Sequence, residues 1–99
     1  MPETEFTGEV MRRAAANGLL AHHCGRPQLC QGPIGFLDTI IAGQHGVLFA
    51  EQKSATGQTT AEQDLWIWTV HRARRVQAVV WEPADLDSGL IDLQLRAII

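Results

Sequence analysis

The chain has 99 residues, 45% of them hydrophobic and 19% charged, a composition that builds one globular domain over residues 1–99 and excludes a disordered or fibrous polymer. Its 8 basic against 11 acidic residues give a formal charge of −3, so the overall balance is not that of a strongly basic nucleic-acid binder. Cys24 and Cys30 are its 2 cysteines, too few for a disulfide framework, and are expected to remain thiols.

The opening Met1-Pro2-Glu3-Thr4-Glu5 has no basic segment followed by an apolar run, and no stretch is long enough to cross a bilayer. A cytoplasmic protein without a membrane partner is the expectation. From Thr4 to Asn17, the residues Phe6, Val10 and Ala14 fall on one helical stripe with Met11 at its edge, and Asn17-Gly18 supplies the stop. Glu3 stands where a helix dipole favours an acid even without a further role. Leu19 to His22 forms a short first strand. Cys24 to Gly35, with two prolines and three glycines, is a loop.

Thr39-Ile40-Ile41-Ala42, Gly43-Gln44-His45-Gly46 and Val47-Leu48-Phe49-Ala50 then read as strand, four-residue turn, strand. If Ala42 faces Val47 as the last pair, Ile40 faces Phe49, Asp38 faces Glu51 and Phe36 faces Lys53. Opposed Cβ atoms lie about 4.5–5.5 Å apart, where two carboxylates repel. A shared divalent cation removes that repulsion, and oxygen ligands beside an ammonium suit Mg²⁺ or Mn²⁺ better than zinc. Strand alternation puts Glu51 and Lys53 on one face and turns the Gln52 side chain away, leaving its backbone carbonyl as a third ligand. The plainer account makes Asp38 and Glu51 strand-end surface acids, with Lys53 their salt-bridge partner.

Ser54 to Thr59 is a turn-rich connection into a second helix from Thr60 to about Arg74. Thr60 as N-cap and Gln63 at the third helical position complete a capping box. The same Gln63 would also meet a phosphate or an attacking water at that helix start. Gln63, Trp66, Ile67 and Val70 share one side of the helix, while Leu65, Trp68 and Arg72 share the other, which must meet either the last helix or a second copy of the chain. A strand follows from Val76 to Trp81, then Pro83 as a breaker and a last helix from about Ala84 to Ile98. The order αβββαβα defines an α/β chain with a central mixed sheet and helices against its faces. Trp66 and Trp81 are expected in the core. Zinc at His22-His23-Cys24 with Cys30 is disfavoured, because adjacent strand histidines point to opposite faces and Cys-x5-Cys is not a usual ligand spacing.

These residues resemble the VRR-NUC branch of the PD-(D/E)XK nuclease superfamily, in its small stand-alone bacterial and phage form. Gly35-Phe36-Leu37-Asp38 is similar to the family's glycine, aromatic, proline, aspartate. Glu51-Gln52-Lys53 is similar to its glutamate, any residue, lysine, and Thr60-Ala61-Glu62-Gln63 to its Ser/Thr-x-Glu-Gln. Glu3 before Phe6, His23 at the end of the first strand, and Val79-Val80-Trp81-Glu82-Pro83-Ala84-Asp85 extend the likeness over nearly the whole chain. Leu37 in place of proline and Glu82 in place of a basic residue depart from the pattern.

The resemblance implies a restriction-endonuclease-like core and a metal-dependent DNA endonuclease of replication, repair or recombination, structure-selective for branched DNA and acting as a homodimer. Asp38, Glu51, Lys53 and Gln63 would be catalytic, with Mg²⁺ or Mn²⁺ on Asp38, Glu51 and the Gln52 carbonyl, and Glu3 as an additional ligand. His23 would face the phosphate-binding side, and Arg26, Arg72, Arg74 and Arg75 are the candidate DNA contacts. A non-catalytic DNA-binding or assembly module on the same fold is the alternative, motivated by the negative charge, Leu37 and Glu82.

Overall fold

A computed structural model describes residues 1–24, 37–73 and 76–99. The elements are α1 (Glu3–Ala16), β1 (Leu20–His23), β2 (Thr39–Gly43), β3 (Gly46–Gln52), α2 (Ala61–His71), β4 (Val76–Trp81), α3 (Ala84–Asp87) and α4 (Leu90–Ile98). The strands lie in the order β1-β2-β3-β4, with β1–β2 and β2–β3 antiparallel and β3–β4 parallel across the α2 crossover. The fold is therefore α/β, a four-stranded mixed open sheet flanked by helices. Among the described residues no helix is long and apolar enough to cross a membrane.

Alternation along the hairpin sorts the two faces of the sheet. Ile41, Leu48, Ala50 and Trp81 face one way and meet Phe6, Val10 and Ala14 of α1, Leu86 of α3, and Ile91, Leu95 and Ile98 of α4. Full burial of each large apolar side chain is worth about 1.5–3 kcal/mol, which is why α1 and α4 settle on this face. Trp81 tolerates complete burial because its indole N–H donates to Gln94 Oε1 at 2.6 Å. Arg13 clamps the two covering helices together, reaching Glu9 at 3.0 Å on its own helix and Asp92 of α4 at 2.6 Å. Helix α2 sits against β4, where Ala78 is buried on the opposite face.

The hairpin register is the expected one, with Ala42 facing Val47 and Ile40 facing Phe49. Pairing continues one step further, to Gly43 with Gly46, so the turn is only Gln44-His45 rather than four residues. Gly43 is required there: a Cβ would collide with the Ile98 carbonyl, where the end of α4 meets the turn and accepts from the His45 backbone N–H at 3.0 Å.

Several expectations are corrected. The last helix is not continuous from Ala84 to Ile98: α3 ends at Asp87, and Gly89, at φ 85°, turns the chain into α4. The second helix stops at His71 with Arg72 as C-cap, short of Arg74. Trp81 is in the core, whereas Trp66 is only half-buried under α2. The last helix does not cover the second side of α2, since α4 lies on the other face of the sheet and Leu65 and Trp68 remain 63% and 59% exposed. Cys24 is disulfide-bonded rather than a thiol; cysteine number and compartment, which carried that expectation, do not govern local geometry. Cys30, Phe36 and its proposed pairing with Lys53 lie outside the described residues, as do the sequence loop from Gly25 to Gly35 and Arg26, Arg74 and Arg75.

Candidate active site

The site forms where β2 and β3 run past their last shared pair, Thr39 with Ala50. Asp38 and Glu51 are the next residues on each strand. The ladder does not continue between them; instead the Glu51 side chain takes the place of a backbone partner, its Oε2 accepting from the Asp38 N–H at 3.2 Å. Sequence register thus brought the two carboxylates together, although Asp38 precedes the strand proper.

Glu51 is almost fully buried, and two further groups converge on its other oxygen. Lys53 Nζ lies 3.1 Å from Oε1, and Gln63 Nε2 donates to the same atom at 2.8 Å. Lys53 is held in place by its backbone N–H, which donates to the Trp81 carbonyl at 2.9 Å and extends the parallel β3–β4 pairing by one step. Gln63 fills the expected capping role and also reaches into the site. Its backbone N–H donates to Thr60 Oγ1 at 3.1 Å and its Oε1 accepts from the Thr60 N–H at 3.0 Å, completing the capping box, while the remaining amide nitrogen reaches Glu51. The cap of α2 is therefore also what aims Gln63.

Burial is the main cause raising the affinity of both acids for protons. Glu51 is pushed up to about 6 by burial first and the Asp38 charge second, with Lys53 opposing. Asp38 is also raised, by burial and by the Glu3 charge, against the pull of Lys53 and of a hydrogen bond with the Glu51 side chain. Two carboxyl groups in hydrogen-bond contact behave as one unit that holds on to a proton.

These groups line one cavity of about 640 Å³. Its near wall is Asp38, Glu51, Lys53 and Gln63; the far wall is α1, through Glu3, Thr4, Thr7, Gly8 and Met11; His23 and Cys24 close the side. Glu3 and His23 are thus brought to the site. Arg72 is not: it lies past the other end of α2, about 13 Å along the helix axis from Gln63, and stacks over Trp68 at 4.4 Å. The α1 stripe through Phe6 lies in the core as expected, while the adjacent stripe of Thr4, Thr7, Gly8 and Met11, which helical spacing alone places side by side, is a pocket wall not foreseen from the sequence.

The donor set suits a hard divalent cation. Glu51 Oε1 already has two partners, Oε2 has one, and Asp38 and Glu3 add carboxylate oxygens beside a single ammonium. Among the described residues no three His, Cys, Asp or Glu side chains stand close enough to hold an ion by themselves. Two carboxylates completed by backbone, water and substrate oxygens is the manner in which Mg²⁺ binds, not zinc. No family model, curated protein or solved structure matches the chain.

Proposed function

We propose that this chain is a VRR-NUC-type nuclease with a restriction-endonuclease-like core: a Mg²⁺- or Mn²⁺-dependent endonuclease that hydrolyses DNA phosphodiesters in the cytoplasm. It is structure-selective for branched or junction DNA, works in replication, repair or recombination, and acts as a homodimer. The observation that carries this reading is the convergence of Asp38, Glu51, Lys53 and Gln63, drawn from the ends of two strands and the start of a helix, on one pocket.

Asp38, Glu51 through Oε2, and the Gln52 carbonyl would hold the cation, with Glu3 as a further carboxylate at the pocket wall. The cation supplies polarisation of the scissile phosphate and a lowered pKa for the attacking water. Gln63 fixes Glu51 by its Oε1, so the oxygen left for the cation is set in direction before substrate arrives. Lys53 serves as the counter-charge of Glu51 at rest. With those carboxylates neutralised, the same ammonium would be placed to stabilise negative charge developing on the phosphoryl oxygens, a preorganised electrostatic role. His23 lines the same pocket. Arg72 would contact DNA beyond the pocket, and Arg26, Arg74 and Arg75, outside the described residues, are the further candidate DNA contacts.

The exposed Glu82 and the net charge of −3 favour, as a second reading, a module that binds DNA without cutting it. Nicking of supercoiled plasmid and cleavage of four-way, flap and linear oligonucleotides in Mg²⁺, Mn²⁺ or EDTA separate the two. Metal-dependent cleavage that falls about 10²–10³-fold in Lys53→Ala, with DNA binding retained, is expected. Binding without metal-dependent cleavage by the wild type would establish the module instead.

A further inference from the structure

One wall of the pocket is fixed from behind by buried polar groups. His23 Nδ1 lies 3.0 Å from Thr39 Oγ1, and Thr39 Oγ1 donates to Gln52 Oε1 at 3.0 Å, so one hydrogen-bonded line crosses β1, β2 and β3. Thr39 and Gln52 are both 0% exposed. They lie on the helix-covered face of the sheet, opposite to Glu51 and Lys53. Among the described residues Gln52 Nε2 has no partner, and the side-chain hydrogen bond that Gln52 makes there is the one that leads to His23. A buried amide left half-satisfied costs stability, and retaining it calls for a reason beyond packing.

The direction of the line fixes the imidazole. A threonine hydroxyl has one proton, and here it goes to Gln52; towards His23 the oxygen offers only lone pairs. With the hydroxyl proton on Gln52, Nδ1 carries hydrogen, and Nε2 is left with its lone pair on the side of the ring away from Thr39, on a residue that lines the cavity. Asp38, Glu51 and Glu3 bring carboxylate oxygens to the cavity beside the Lys53 ammonium, the Gln63 amide and the Thr4 and Thr7 hydroxyls, and Nε2 adds one more acceptor to them. His23 does not join Asp38 and Glu51 in a group close enough to hold an ion directly. Mg²⁺ sheds its waters reluctantly and keeps several when bound by one or two carboxylates. Those waters are donors of the kind such an acceptor receives.

We infer that Thr39 and Gln52 are positioning residues that hold His23 with Nε2 as an outer-sphere acceptor for the hydration shell of the divalent cation at Asp38 and Glu51. The inference rests on the metal site proposed above. It assigns Thr39, which does not line the pocket, a role in metal affinity that a purely structural threonine would not have.

The test combines ¹⁵N NMR of the imidazole in metal-free protein with Mn²⁺ calorimetry. The wild type is expected in the Nδ1–H tautomer. Thr39→Val, which removes the hydroxyl at nearly constant shape, should release that tautomer and weaken Mn²⁺ about tenfold, as loss of an outer-shell partner does. Thr39→Ser should restore both. His23→Asn keeps an amide nitrogen near the place of Nδ1 but nothing at Nε2, and should weaken Mn²⁺ to the same extent; it carries the test if Thr39→Val does not fold.

An Nε2–H tautomer in the wild type, the state reached if the Gln52 amide is turned over, would overturn the inference. So would Mn²⁺ affinities in His23→Asn and Thr39→Val equal to wild type while Asp38→Ala abolishes binding; the metal site itself would then stand. No Mn²⁺ uptake by the wild type would remove the metal reading and this inference together.

Discussion

At the residue scale the site is an electrostatic conflict that the fold sustains. Glu51 in the folded chain keeps its proton up to about pH 6, against an ordinary value of 4.5, so the folded state binds the proton more tightly than the unfolded chain. The stability this contributes is complete below about pH 4.5 and is lost as pH rises through about 6, an effect on the order of 1–2 kcal/mol. Melting temperatures of metal-free wild type and Glu51→Gln across pH 4 to 8 should differ in slope by this amount, with the wild type the more pH-sensitive. A cation must displace the proton, so Mn²⁺ affinity should rise with pH over the same interval. Asp38→Asn relieves the repulsion and should stabilise the metal-free protein at pH 8 by about 1 kcal/mol while abolishing metal-dependent cleavage, a trade of activity for stability. Identical melting curves for Asp38→Asn and wild type would contradict it. Much of this was legible from residue type and register: Asp38, Glu51 and Lys53 meet as alternation requires. Thr39 was not, because nothing in a β-branched strand residue distinguishes a hydrogen-bonded hydroxyl from a methyl filling space.

At the element scale, the caps decide where the chemistry points. Thr60→Ala removes the N-cap of α2 and should cost about 1 kcal/mol in urea unfolding, with Thr60→Ser near neutral. Because Gln63 is aimed by the same cap, Thr60→Ala should also reduce cleavage, which a cap without a link to the site would leave unchanged. Gly89 is held at φ 85° with nothing near a prospective Cβ, so Gly89→Ala should cost about 1 kcal/mol from backbone conformation alone. The break at Gly89 was present in the sequence as a shift of phase. Ile91, Leu95 and Ile98 follow helical spacing, but Leu86 lies five residues before Ile91, out of step with one continuous stripe. The hairpin register was fully readable because one turn and strict alternation leave few choices, and the capping box because its two residues act locally.

At the scale of the molecule, coverage of the sheet is unequal. Among the described residues helices α1, α3 and α4 occupy one face and α2 lies on the other beside β4, while Leu65, Trp68, Val80 and Leu20 are exposed. Sequence did not reveal this, since Ile40, Phe49 and Val80 make the second face as apolar as the first. A second copy against α2 would bury that surface. Sedimentation should find a dimer that Trp68→Glu converts to a monomer without loss of Mn²⁺ affinity per chain; a monomeric wild type at tens of micromolar would remove the dimer. The proposed grip of Asp38 and Glu51 on a hard cation is tested most directly by Mn²⁺ titration of the intact protein by calorimetry. One site per chain at pH 8, with proton release on binding and no uptake by Asp38→Ala or Glu51→Gln, is the expected result. Equal Mn²⁺ uptake by wild type and both variants, or none by the wild type, would contradict it.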